Sequence, residues 1–294
     1  MRKLALSDEI LLKVDKAARY IGGEVNSVMK DKNEVEIRFA MCFPDVYEIG
    51  MSNLGMMILY NMFNQREDVW CERLFSPWPD LDKVMREKKI PLFALESQEP
   101  IRDFDFLGIT IGYEMCYTNI LQVLDLSGIP LKSADRGEDF PIVIGGGACA
   151  YNPEPLAPFF DMFYIGEGET VYDALFDAYK ANKKAGGSRR DFLLAAAKIP
   201  GIYVPSLYEV TYKEDGTIAS FAPTADGVPE KVQKQLIIDM EKEYRAVEAP
   251  VVPHIKATQD RVTLEIQRGC IRGCRFCQAG MIYRPTRERD VETL

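Results

Sequence analysis

Apolar positions in the first two hundred residues come in short runs that switch between helical and strand periods. Ile10, Leu11, Val14, Ala18 and Ile21 recur at helical spacing behind Ser7, Asp8 and Glu9, which predicts an opening helix over residues 7–21, stopped by Gly22-Gly23. Strands are predicted over residues 35–42, 69–75, 91–95, 104–111, 141–144 and 161–165. Between and after them, helices are predicted over 54–64, 80–88, 117–127, 170–182 and 191–198. Short apolar strands alternating with helices imply a parallel sheet covered on both faces, a doubly wound α/β domain. Such sheets bind ligands in the crevice at the carboxyl ends of their strands.

The alternation stops after Lys180. Lys183 to Ser188 is a polar turn, residues 203–212 and 218–222 alternate like a hairpin, and 223–253 reads as a connector with one apolar run, Leu236-Ile237-Ile238. A new strand is predicted over 262–267. These breaks divide the chain into 1–200, 201–255 and 256–294.

Composition narrows the class. A hydrophobic share of 47% and a charged share of 28% in 294 residues belong to a globular protein with a sizeable core. No apolar run reaches the roughly 18 residues of a spanning helix, and the N-terminus turns acidic before a signal-type apolar region forms. A cytoplasmic protein without membrane contact is expected. The net charge of −9 argues against a protein that coats nucleic acid, although it leaves a nucleic-acid substrate open. Six arginines crowd into residues 268–289, either a solvated face or a surface for an anionic ligand.

Seven cysteines in such a chain point to thiol or metal chemistry rather than disulfides. Cys42, Cys71, Cys116 and Cys149 lie far apart in apolar surroundings and read as buried structural thiols. Cys270, Cys274 and Cys277 cluster as C-x3-C-x2-C, with Gly269 and Gly273 allowing a tight loop. Three thiolates on one loop suit three corners of a cubane cluster. A zinc site needs four closed ligands, and His254, the chain's one histidine, sits across the predicted strand in a proline-flanked linker. The residues alone leave a catalytic cluster and a structural or electron-carrying metal both open.

The spacing, with Phe276 directly before the third cysteine and a predicted strand before the first, resembles the radical S-adenosylmethionine (SAM) superfamily. That resemblance implies a [4Fe–4S] cluster on Cys270, Cys274 and Cys277, SAM on the open iron, and Phe276 near the adenine. It also implies a one-electron reductant such as flavodoxin or ferredoxin as partner. Residues 256–294 would then begin a partial (β/α) barrel and stop early in it, so that this chain is a fragment, inactive alone, of a C–H-modifying or methyl-transferring enzyme.

The first two hundred residues resemble the cobalamin-binding domains that precede the barrel in many of these proteins, a Rossmann-type fold. Asp45-Val46-Tyr47-Glu48-Ile49-Gly50 follows the first strand where D-x-H-x-x-G is expected, with Tyr47 in place of the histidine. Thr110-Ile111-Gly112 stands where S-x-L would be, and Gly145-Gly146-Gly147 supplies the glycine pair. The resemblance implies a cobalamin-like crevice lined by Tyr47, Gly50, Thr110, Gly145, Gly146 and Gly147, with no histidine for a bound cobalt. Gly166-Glu167-Gly168-Glu169 matches a turn of the same proteins, although acids at a helix start explain its glutamates equally well. The alternative to an enzyme is a binding module carrying a structural metal.

Overall fold

Apolar runs too short for helices become the strands of one sheet, in a computed structural model that describes residues 3–244 and 246–294. In chain order the elements are α1 (Asp8–Leu11), β1 (Ile37–Phe43), α2 (Tyr47–Gly50), α3 (Leu54–Gln65), β2 (Val69–Phe75) and α4 (Pro79–Lys88). Then follow β3 (Phe106–Thr110), α5 (Tyr117–Leu126), β4 (Ile142–Gly146), β5 (Met162–Tyr164), α6 (Tyr172–Lys184), α7 (Arg189–Ala196) and β6 (Ile202–Tyr203). The last are β7 (Tyr208–Tyr212), β8 (Ile218–Pro223), β9 (Gln267–Arg268), α8 (Ala279–Ile282) and β10 (Arg287–Glu288).

The sheet has six strands in the order β2-β1-β3-β4-β5-β6. Pairing is parallel from β2 to β5, and β6 closes the edge antiparallel, Phe163 opposite Tyr203. Alternation along β1 shows why helices must cover both faces. Ile37, Phe39 and Met41 pack with Met56, Phe63 and Phe176 of α3 and α6, while Ala40 and Cys42 pack with Leu81 of α4 and Ile120 of α5. The fold is thus α/β, Rossmann-like and doubly wound. Chain order reverses between β1 and β3, where open sheets of this kind form their crevice.

Three expected elements come out differently. The opening helix is only Asp8–Leu11, because Lys16 turns left-handed (φ 51°) into the 3₁₀ turn Ala17–Arg19. That turn delivers Lys16 Nζ and Arg19 to Glu48, all at 2.9 Å. Of residues 91–95, Leu92 to Leu95 are buried but form no strand, since Leu92 N–H donates to Leu126 O and Leu95 N–H to Arg73 O. Residues 262–266 belong to no strand: Ile266 O accepts from Arg289 N–H, while Val262 is 85% and Leu264 63% exposed. Only Gln267–Arg268 pairs, antiparallel with Arg287–Glu288, because no parallel neighbour lies beside it among the described residues.

The connector is packed rather than free. Ile237 and Met240 are buried, and Gln235 forms a parallel bridge with Gly166. Gly166 has φ 134°, and a Cβ there would meet Gln235 O at 2.2 Å, so only glycine serves.

Candidate functional site

A cavity of about 560 Å³ opens at the carboxyl ends of β1, β3, β4 and β5. Phe39, Met41, Ile109 and Ile144 form an apolar floor, and the start of α3, capped by the Asn53 side chain on Met56 N–H, forms one wall. Opposite stand the backbones of Gly146 and Gly147. Gly147 lies in the left-handed region (φ 99°), and a Cβ on it would press against Ile111 O at 3.0 Å. The roof belongs to a distant part of the sequence: Glu265, Gln267, Arg268, Gly269 and Tyr283.

Two arginines hold that roof to the turn between β5 and α6. Arg287 Nη1 donates to Glu167 Oε2 at 2.8 Å, while Nη2 lies 2.7 Å from Oε1. Arg268 reaches Glu167 at 3.2 Å, Glu169 at 2.5 Å and Glu265 at 2.9 Å. Ile237 N–H adds a 2.9 Å bond to Glu167 Oε2. Burial pushes the Glu167 carboxyl up, but bonds from Arg287 and Ile237 and the charge of Arg268 outweigh it and hold the group below its ordinary value.

The cysteine loop follows at once. Gly269 adopts φ 91°, and a Cβ there would meet Pro285 O at 2.5 Å and Tyr283 O at 2.6 Å, so the turn into Cys270 needs glycine. Cys270 and Cys277 are half-buried and Cys274 is exposed. Arg272 N–H points at Cys270 Sγ, 3.4 Å away, and Cys277 N–H donates to Cys274 O. Phe276 is 93% exposed. The donor chemistry fits an iron–sulfur cluster, being three thiols on one loop beside a cavity. Their sulfurs are not gathered, since no group of three or more His, Cys, Asp or Glu side chains among the described residues is placed to hold a metal ion. The other four cysteines are buried and unpaired, and burial pushes the Cys116 thiol up to about 11.

The six residues named for a cobalamin-like crevice separate into two sets. Thr110, Gly146 and Gly147 line the cavity. Tyr47 does not: its hydroxyl donates to Glu24 at 2.9 Å and accepts from His254 N–H, within a buried cluster around Arg73. Gly50 and Gly145 serve packing, for a Cβ would strike Phe75 at 2.2 Å in the first case and Phe163 at 2.8 Å in the second. His254 Nε2 faces Gly22 O at 3.2 Å. Neither Tyr47 nor the histidine reaches the cavity, so the six residues do not make one cradle and no step is assigned to cobalamin. The sequence reading passed over Glu167 and Glu169 as holders of the roof. A signal was there, two glutamates in one turn and six arginines in one distant segment, but only the fold brings them together.

Residues 55–205, just over half of the chain, match the family of radical SAM proteins, N-terminal. The chain belongs to that family. The uncharacterized protein MJ0966 of Methanocaldococcus jannaschii is 26% identical over 256 residues, covering 87% of this chain and 44% of that protein. Among solved structures, the radical S-adenosylmethionine methyltransferase TsrM from Kitasatospora setae overlaps 87% of this chain and 44% of its own, with 15% identity and a TM-score of 0.40. So loose an overlap carries no inference about chemistry. The chain spans less than half the length of both proteins. No helix among the described residues is long and apolar enough to cross a membrane.

Proposed function

We propose that this chain carries the cluster-binding segment of a radical SAM enzyme, with Cys270, Cys274 and Cys277 as the ligands of a [4Fe–4S] cluster. The observation that carries the reading is the junction of loop and cavity: Arg268 and Gly269, directly before Cys270, are part of the cavity wall. The chemistry such a cluster supplies, with SAM on its open iron, is reductive cleavage of SAM to a 5′-deoxyadenosyl radical. The chain's own residues set the surroundings. The apolar floor keeps water from a bound molecule, and the backbones of Gly146 and Gly147 allow close approach. Glu167 and Glu169 neutralise Arg268 at the roof. Phe276, fully accessible, is free to stack on an incoming adenine. A one-electron reductant would meet the exposed side of the loop around Cys274, and a cytoplasmic setting suits reduced thiols. In this reading residues 1–200 present the ligand, 201–255 connect, and 256–294 open the catalytic barrel.

Anaerobic reconstitution tests the reading. The protein is expected to take up about four irons per chain with matching sulfide. Replacing Cys270, Cys274 and Cys277 together by Ala is expected to abolish the chromophore, and Cys71→Ala to spare it. Iron and sulfide retained by the triple variant, or stoichiometric zinc in place of iron, would overturn the assignment and favour a structural metal.

A further inference from the structure

Arg268 and Arg287 are direct partners across the short β9–β10 ladder. Like charges facing each other on one pair of strands repel, and these two guanidinium groups are almost wholly buried (side chains 10% and 6% exposed). What permits the pairing is a set of carboxylates between them, chiefly Glu167, which touches both. Only two residue pairs form the ladder, so its hydrogen bonds alone cannot hold it. Apolar burial nearby is confined to Ile282, since Val262, Leu264, Ile271 and Phe276 are each more than half exposed. Further ties come from Lys234, whose Nζ donates to Ile282 O at 2.7 Å and Arg284 O at 2.8 Å, from Arg287 donating to Ile237 O at 2.5 Å, and from Asp290 N–H donating to Glu241 at 2.7 Å.

We propose that Glu167 is a positioning residue, a latch that seats the cysteine loop on the mouth of the cavity by pairing Arg268 and Arg287. The inference rests on reading the three cysteines as cluster ligands and assigns the turn that aims them. Arg268 lies two residues before Cys270, and Glu167, Glu169 and Arg268 all line the cavity. The latch is therefore part of the wall that a ligand touches, and the seat of the loop and the shape of the cavity are set by the same side chains. With Glu167 uncharged, the two arginines face each other with less compensation, and the ladder opens.

Hydrogen exchange and thiol alkylation on the metal-free 294-residue chain test this. Glu167→Gln keeps the shape and removes the charge. It is expected to speed exchange over residues 266–268 and 287–289, and alkylation of Cys270 and Cys277, by at least about tenfold while β3 and β4 exchange at the wild-type rate. Arg287→Gln, in β10 and outside the six-stranded sheet, answers even if Glu167→Gln fails to fold and is expected to do the same. Arg287→Lys, which keeps the charge, is expected to recover part of the protection. Wild-type rates in Arg287→Gln, or identical behaviour of Arg287→Lys and Arg287→Gln, would overturn the latch. Failure of the cluster reading shows separately as missing iron in the wild-type protein, and failure of the latch as unchanged exchange.

Discussion

Arg73 and Arg287 are both held by glutamates away from water, and they do different work. Arg73, on β2, is completely buried, and so are its partners Glu24 at 2.8 Å and Glu96 at 2.6 Å. Tyr47 and Tyr60 donate to the same two carboxylates, and a sulfur contact from Met51 completes the shell. That cluster is closed off from water, with His254 N–H sealing Tyr47 on its outer side. Arg287 is nearly as dry, but the segment it anchors has an exposed outer side. The first cluster therefore fastens strand, N-terminal segment and loop permanently, while the second joins parts that can separate without unfolding the sheet. Identical chemistry becomes structural or positional according to what surrounds it.

The largest effect is expected where the pair has no route to water. Arg73→Met leaves Glu24 and Glu96 buried without their cation and is expected to cost about 3–5 kcal/mol, read as a lowered urea midpoint with unchanged slope. A loss below about 1 kcal/mol would erase the distinction between the two clusters. Next comes the backbone under the latch. Gly166→Ala forces a side chain onto Gln235 at a left-handed position and is expected to cost about 1–3 kcal/mol. Faster exchange of the Glu167 and Gln235 amides, which are bonded to Gln235 O and Ile165 O, is the local signature. Gly216→Ala, also left-handed but with no atom within 4 Å, is expected to cost less.

An intermediate pair sharpens the contrast and contributes in full at neutral pH. Burial would raise the Glu48 carboxyl, but hydrogen bonds from Arg19 and Lys16 outweigh it and hold it at about 2. A carboxylate depressed on folding contributes stability that is complete above its ordinary value and lost as pH falls through about 2. Glu48→Gln is expected to flatten that acid limb of the unfolding curve, measured by urea titration from neutral pH downward. An unchanged acid limb would show that the pair does not persist in solution.

The sheet was legible because its strands are apolar runs flanked by turn residues, and period and run length are local properties. Residues 69–75 were read to the residue for that reason, and of the residues named from the cobalamin-domain resemblance, Thr110, Gly146 and Gly147 sit at strand ends and line the cavity. Tyr47 misled because its position after β1 fitted a ligand, whereas the one-turn helix Tyr47–Gly50 carries the ring inward against Phe75. Residues 262–267 alternate like a strand, but alternation promises a face and supplies no neighbour. The connector was unreadable for the opposite cause: its anchors, the Gly166 bridge to Gln235 and the Glu167 carboxylate under Ile237 N–H, leave no periodic trace.

The seal over Tyr47 gives the molecule a timetable. The amide that donates to its hydroxyl belongs to His254, 207 residues later in the chain. Beside it Asn26 holds Pro250 O, and Val25 bridges Val252. At synthesis rates of about 5–20 residues per second, the ribosome needs roughly 10–40 s to deliver that donor after Tyr47 has emerged. Through this interval the Glu24 cluster lacks its outer cover, and the nascent sheet is open on that side. The cysteine segment, from Cys270 onward, is translated only after His254, so the donor that covers Tyr47 leaves the ribosome before it.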